Sequence, residues 1–124
     1  MENKGKILVA EDYEPGRKLI GNLLNIAAPD YEKILYSNGH SLEEELNNSS
    51  NGIKLIVLDN DVPDKGLGLK LTGKYSRKGI PFVMISGTDI SRESKEAGAY
   101  SFILKPFEVS NFISIIKEVL DYKK

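Results

Sequence analysis

The sequence contains no cysteine, which excludes disulfide bonds, iron–sulfur clusters and thiolate zinc sites. It has no apolar run near the ~20 residues of a membrane-spanning helix, and its first residues, MENKGK, lack the apolar core of a signal peptide. The formal net charge is only −1, so no overall field points to nucleic acid or to an anionic membrane. These absences predict a cytoplasmic protein that binds neither.

The 124 residues have the length and composition of one globular domain, with 40% hydrophobic and 28% charged residues. No internal repeat, low-complexity stretch or second domain is visible, so we expect residues 1–124 to form a single domain. The initial methionine and the short lysine-ended tail favour a complete chain. A piece of a larger protein stays open as the alternative.

Short apolar runs alternate with helical patterns along the chain. The predicted strands are residues 6–10, 33–36, 55–59, 81–86 and 100–104. The predicted helices are residues 15–28, 41–48, 66–78, 91–98 and a last one from residue 109. Because a helix follows each strand, we expect a parallel sheet with helices on both faces.

The predicted helices differ in quality. The first, which Pro29 stops, and the last each carry an apolar stripe: Leu19, Ile20, Leu23, Leu24 and Ala27 in the first, and Val109, Phe112, Ile113, Ile116, Val119 and Leu120 in the last. Lys117, Lys123 and Lys124 lie near the negative end of the last helix. The third contains three glycines and the fourth is almost wholly polar, so both are expected to be short or irregular.

The second helix has a recognisable start. Ser41 with Glu44 three positions on predicts a capping box, which would begin the helix at Ser41. The NSSNG stretch, residues 48–52, is expected to be a loop.

Polar side chains follow four of the predicted strands. They are Glu11 and Asp12 after the first, Asp59 at the end of the third, Ser86 with Gly87 and Thr88 at the fourth, and Lys105 with Pro106 after the fifth. In a doubly wound sheet the ligand lies beyond the carboxyl ends of the strands, so these residues are expected to meet at one edge.

Three carboxylates brought together repel one another unless a cation joins them. Magnesium, a hard cation that takes a few carboxylates and keeps waters, is the natural guest. A cation, the Lys105 ammonium and the Ser86 hydroxyl can together hold a tetrahedral oxyanion such as a phosphoryl group. A carboxylate nucleophile would then form an aspartyl phosphate.

The same residues resemble the receiver domain of bacterial two-component response regulators, over roughly residues 5–122. The matching segments are ILVAEDYEPGRKL, LIVLDNDVP, VMISGT and AGAYSFILKPF. The resemblance implies a flavodoxin-like, doubly wound five-stranded parallel sheet of order 2-1-3-4-5. It also implies a phosphoprotein that catalyses its own phosphorylation and dephosphorylation.

The resemblance also implies roles for individual residues. Asp59 is similar to the phosphoacceptor, and Lys105 to the lysine that pairs with the phosphoryl group. Glu11, Asp12, Asp59 and the main-chain carbonyl of Asp61 would bind Mg²⁺ or Mn²⁺. The other implied positions are Ser86 as the switch hydroxyl, Gly87 as the small residue beside it, Thr88 as a tuning position, Phe102 as the aromatic switch, and Pro106 after a cis bond.

The implied partners are a histidine kinase or a histidine phosphotransfer protein as phosphoryl donor, and a downstream protein effector. The chain departs from the family by about one helical turn, ~3.6 residues, between Asp59 and Ser86, and again between Ser86 and Lys105. The second loss falls on the segment SRESKEAG, on the surface with which most receivers signal. Phe102 lacks a hydroxyl, and we expect the acidic side chain of Asp61 to change the lifetime of the phosphoryl group.

Other interpretations stay open. LIVLDNDV also resembles the motif of haloacid-dehalogenase-like phosphatases, with Asp59 as nucleophile and Asp61 as general acid/base, although there the motif ends the first strand. A receiver-like binding module without phosphotransfer is a further alternative. A nucleotide or flavin module is disfavoured because no glycine-rich phosphate loop follows the first strand. His40 and Asp64 are expected to be a solvated loop residue and a turn residue.

Overall fold

A computed structural model describes residues 3–48 and 51–122 of the chain. Its strands are β1 Lys6–Ala10, β2 Glu32–Tyr36, β3 Ile53–Asp59, β4 Phe82–Ser86 and β5 Ser101–Leu104. Its helices are α1 Glu14–Ala27, α2 Gly39–Asn48, α3 Leu67–Tyr75, α4 Ser91–Ala97 and α5 Val109–Tyr122, and a 3-10 turn, Ser76–Lys78, follows α3.

The strands form one parallel sheet in the order β2-β1-β3-β4-β5, which confirms the predicted doubly wound, flavodoxin-like architecture. β1 and β3 lie at the centre, and their side chains are nearly all buried because helices cover both faces. Parallel pairing puts the carboxyl ends of all five strands at one edge, where the candidate site lies.

Two apolar clusters hold the helices to the sheet. One cluster lies between the sheet and the pair α1–α5, and contains Ile7, Leu24, Val57, Phe112 and Ile116. The other lies under α2 and α3, and contains Leu8, Leu42, Leu58, Leu71 and Phe82. Burial of such side chains provides most of the stabilising free energy, at about 1.5–3 kcal/mol for each large one.

The apolar stripes of α1 and α5 are mostly buried as predicted, with one exception in each. Leu19 is 45% exposed and Val109 is 48% exposed, so neither is a core residue. Val109 is the first residue of α5. Lys123 and Lys124 lie outside the described residues.

The predicted start of α2 is wrong. The helix begins at Gly39, and the side-chain oxygen of Asn38 accepts a hydrogen bond of 2.8 Å from the main-chain N–H of Ser41. Asn38 therefore caps the helix, and Ser41 lies inside its first turn. At the other end α2 extends through Asn48, so the predicted loop is shorter; its residues 49–50 lie outside the described residues.

The third and fourth helices are short, as expected. α3 ends at Tyr75 and tightens into the 3-10 turn, and α4 buries only Ser94. Among the helices that the structure describes, none is long and apolar enough to cross a bilayer.

Candidate functional site

The polar residues predicted at the strand ends are brought to one edge of the sheet. Asp59 is the last residue of β3 and lies beside Ile85 of β4, while Ser86 lies beside Leu104 of β5. The main-chain N–H of Lys105 donates to the carbonyl of Ser86, at 2.8 Å, which extends the pairing one residue beyond β5. The strand register thus fixes the main-chain positions from which the side chains of Asp59, Ser86 and Lys105 extend.

The Lys105 ammonium joins two acids that are far apart in sequence. Its Nζ atom lies 2.5 Å from Oδ2 of Asp59 and 3.2 Å from Oε1 of Glu11. Both carboxylates are buried, with 2% of Glu11 and 7% of Asp59 exposed, whereas the lysine is partly accessible. Two negative charges, in a site that is partly shielded from solvent, therefore share one positive charge.

Electrostatics in the site favour binding of a further cation. Burial raises the pKa of Glu11, and the negative charge of Asp59 raises it further, against the N–H of Tyr13 and the charge of Lys105, which lower it. Burial lowers the pKa of Lys105, but its hydrogen bond to Asp59 and the charges of Asp59 and Glu11 more than offset this, so its pKa is raised. The lysine stays charged, and the acids remain incompletely neutralised.

Main-chain groups fix both carboxylates. Oδ1 of Asp59 accepts the N–H of Asp61 at 2.9 Å, and Oε2 of Glu11 accepts the N–H of Tyr13 at 3.2 Å. The guanidinium of Arg17, on α1, donates to the main-chain carbonyl of Glu11 at 2.9 Å. Arg17 therefore holds the β1–α1 turn that carries Glu11, a role that the sequence did not indicate.

The residues expected to hold a metal ion are partly assembled. Glu11 and Asp59 converge, but Asp12 is exposed, and within residues 3–48 and 51–122 no three acidic, histidine or cysteine side chains form a metal-binding group. The donor chemistry nevertheless fits a hard divalent cation, because two buried carboxylates offer only oxygen ligands and need positive charge.

The residues around the predicted switch lie on β4 and β5 or directly after them. Ser86 is buried, and its Oγ accepts the N–H of Thr88 at 3.1 Å, while Gly87 and Thr88 are exposed. Phe102 is partly buried against the cluster under α2 and α3. The Lys105–Pro106 bond is cis, as predicted; the Val62–Pro63 bond is also cis, which was not predicted.

The residue after Asp59 anchors α3. Asn60 accepts two hydrogen bonds from the first turn of the helix: its carbonyl from the N–H of Gly68 at 2.8 Å, and its side-chain oxygen from the N–H of Leu69 at 2.9 Å. Asn60 thus caps α3 from eight or more residues upstream, where Gly66 has no side chain to do so. No local sequence signal could have revealed a cap at this distance.

The remaining aspartates near β3 have separate partners. The Asp61 side chain is exposed, and its Oδ1 accepts the N–H of Gly66 at 3.0 Å. Oδ2 of Asp64 lies 2.9 Å from Nε2 of His40. His40 is solvent-exposed as expected, but it lies in the first turn of α2 and not in a loop, since that helix begins at Gly39.

Comparisons with known proteins agree with this geometry. The family model described as "Response regulator receiver domain" matches residues 7–117. The protein "Histidine kinase P4" of Formosa agariphila is 28% identical in an alignment 127 positions long, which covers 97% of this chain and 9% of that protein. The chain therefore spans less than a tenth of that relative's length.

Two solved structures are similar throughout. A CheY-like response regulator receiver domain protein from Methanospirillum hungatei is 25% identical, with a TM-score of 0.82 over 96% of this chain and 95% of that one. The receiver domain of NtrX from Brucella abortus is 26% identical, with a TM-score of 0.78 over 93% and 98% of the two chains. The phosphatase alternative required the strand that ends at Asp59 to come first, but it is the third. The chain belongs to the family of response regulator receiver domains.

Proposed function

We propose that Asp59 accepts a phosphoryl group from the phosphohistidine of a histidine kinase or a histidine phosphotransfer protein. The observation that carries the proposal is the Asp59 carboxylate at the edge of the sheet, bonded to the Lys105 ammonium and to the main-chain N–H of Asp61. The membership of the chain in the receiver family, and its similarity to part of a histidine kinase, support this role.

In the proposed reaction, a carboxylate oxygen of Asp59 attacks the phosphorus atom, and the phosphorus–nitrogen bond to the donor imidazole breaks. The imidazole leaves with the electron pair of that bond and takes up a proton. The chain positions the nucleophile and neutralises charge on the phosphoryl oxygens, and Lys105 provides the positive charge on one side. The phosphoryl group later leaves to water or to another acceptor.

Magnesium, or manganese, would be held by Glu11, Asp12, Asp59 and the main-chain carbonyl of Asp61, and when bound would supply the remaining positive charge on the phosphoryl oxygens. The raised pKa of Glu11 supports this assignment, because burial and the nearby charge of Asp59 both oppose its ionised form. Asp12, whose side chain is exposed, would complete the acidic set.

Phosphorylation is proposed to shift the population between two surface states that a downstream protein distinguishes. The Ser86 Oγ, which accepts the N–H of Thr88 in this structure, would instead donate its O–H to a phosphoryl oxygen. Gly87, beside it, has open space where a Cβ would be. Phe102 has no hydroxyl, so its response would depend on packing against its apolar neighbours. Residues 1–124, with a core of about residues 5–122, would act as one receiver domain.

Intact-mass measurement after treatment with acetyl phosphate tests the proposal. We expect one phosphoryl adduct in the presence of magnesium and much less after chelation. The adduct should be absent from Asp59→Asn and present in the control Asp64→Asn, since the exposed Asp64 carboxylate pairs with His40 on the surface. Wild type without an adduct would instead favour the receiver-like binding module.

A further inference from the structure

The segment from Lys65 to Lys78 has an unusual charge. It contains five basic residues, Lys65, Lys70, Lys74, Arg77 and Lys78, and no acidic residue follows Asp64 until Asp89. The formal net charge of the whole chain is −1, so this positive charge is local. A local excess of charge of one sign attracts partners of the opposite charge and speeds their association.

Helical geometry gathers four of these charges. Lys70, Lys74 and Arg77 are separated by three or four residues and therefore lie along one side of α3 and its 3-10 turn, with Lys78 beside them. We call these four residues the basic stripe. All four are exposed, and Gly73, in their midst, has open space where a side chain would be.

Most of this charge is not neutralised by the chain itself. Lys74 pairs with Glu43 at 2.8 Å, and Lys78 lies over the ring of Tyr75, 5.5 Å from its centroid. Lys70 and Arg77 form no ion pair within residues 3–48 and 51–122. The basic stripe therefore exposes positive charges at helical spacing, and these can pair with a negatively charged partner.

The helix that carries the basic stripe begins in contact with the residues of the phosphoacceptor. The first turn of α3 is held by the main chain and side chain of Asn60, the residue after Asp59. A Cβ on Gly68 would lie 2.6 Å from the Asp59 carbonyl oxygen, so the helix packs directly on the end of β3. By contrast α4 has seven residues of mixed charge, which makes it a poorer charged surface.

We propose that the basic stripe is a docking surface for an acidic segment of the downstream protein, an inference that rests on the proposed function. A protein segment fits better than nucleic acid because acids flank the stripe, in α2 at Glu43, Glu44 and Glu45 and in the preceding loop at Asp61 and Asp64. A duplex carries a phosphate charge about every 1.7 Å and would bring many of them over these acids. A short acidic segment can align with the stripe alone.

Fluorescence anisotropy with a labelled decaglutamate peptide tests the docking surface. The stripe variant is Lys70→Glu/Arg77→Glu/Lys78→Glu. The matched control is Lys18→Glu/Lys54→Glu/Lys117→Glu, which changes the net charge equally at exposed lysines on α1, β3 and α5. At low salt we expect the stripe variant to bind the peptide at least about tenfold more weakly than the control. Amide shifts of the wild type on peptide addition should map to residues 65–78.

Three outcomes would overturn the docking proposal. They are equal peptide binding by the two variants, peptide-induced amide shifts elsewhere, and tighter binding of a 20-base-pair duplex DNA than of the peptide through the same residues. The phosphoryl adduct is measured on the same wild-type sample. A missing adduct contradicts the role of Asp59, whereas the variant comparison alone decides the role of the stripe.

Discussion

Glu11 illustrates how one buried carboxylate links the site to the stability of the protein. Its pKa in the folded protein lies above the ordinary 4.5, through burial and the charge of Asp59. Between these two pKa values the folded state binds more protons than the unfolded state, so unfolding becomes easier as pH rises. The stabilising contribution of protonated Glu11 is complete below pH 4.5 and is lost as pH rises through the raised value.

Glu11→Gln should remove this pH dependence. Relative to wild type, the free energy of unfolding of the variant should increase from about pH 4.5 upward, with a slope of at most about 1.4 kcal/mol per pH unit. Urea unfolding in the presence of a chelator, at several pH values, measures this difference. Parallel stability curves for the two proteins would contradict the raised pKa.

Asp61 offers two separable effects on phosphoryl lifetime. Its carboxylate carries charge near the phosphoacceptor, and its Oδ1 also holds the N–H of Gly66. Asp61→Asn keeps an oxygen acceptor and removes only the charge, whereas Asp61→Ala removes both. We expect the loss of charge in Asp61→Asn to be enough to change the dephosphorylation rate. This rate is measured by intact mass after acetyl phosphate is removed. A wild-type rate in Asp61→Asn with a changed rate in Asp61→Ala would assign the effect to the loop.

Among individual residues, the sequence predicted those whose position depends on the strand ends. Asp59, Ser86 and Lys105 lie where their strands stop, so identifying the strands located them. The roles of Arg17 and Asn60 depend on an approach between elements that local patterns do not encode. The exposure of Asp12, beside the buried Glu11, likewise follows from the folded arrangement and not from a local pattern.

At the scale of elements, α3 depends on a close approach that only glycine permits. A Cβ on Gly68 would lie 2.6 Å from both the Cα of Asn60 and the carbonyl oxygen of Asp59, which are main-chain atoms and cannot rotate away. Gly73, in the same helix, has no neighbour within 4 Å of an added Cβ. The two glycines therefore form a matched pair for one substitution.

Alanine should have opposite effects at these positions. Gly68→Ala is expected to destabilise the fold by about 1–3 kcal/mol, because overpacking forces the helix away from β3. Gly73→Ala should stabilise it by up to about 1 kcal/mol, because alanine has the higher helix propensity. Chemical denaturation of the two variants measures both; a Gly68→Ala variant as stable as Gly73→Ala would show that α3 does not pack on the strand end as described.

Element boundaries were predictable where a local signal decides them. Pro29 marked the end of α1, and the glycines of the third helix indicated the weakness that appears as a 3-10 turn after Tyr75. The start of α2 was misassigned because both Asn38 and Ser41 are good caps, and only the observed hydrogen bond shows which one acts. Leu19 has the spacing of the apolar stripe of α1, yet it is 45% exposed whereas its neighbour Ile20 is buried; spacing alone does not show where the buried face of the helix ends.

For the whole molecule, alternation of apolar strands and helices was enough to predict a parallel sheet covered on both faces. The spatial order of the strands came from the family resemblance, because alternation alone does not determine which strands are neighbours. That order places β1 and β3 side by side, and so brings Glu11 and Asp59, 48 positions apart, to one lysine. The site is therefore a property of the topology and not of any single motif.

Chemical mapping of the phosphorylated residue tests the role of Asp59 most directly. Borohydride reduces an aspartyl phosphate to homoserine, so the protein is treated with acetyl phosphate and magnesium, reduced, digested and sequenced by mass spectrometry. We predict homoserine at position 59 and unchanged aspartates at positions 12, 61 and 64. Homoserine at one of those other positions, or a phosphoryl adduct that leaves residue 59 as aspartate, would contradict the assignment of Asp59 as the phosphoacceptor.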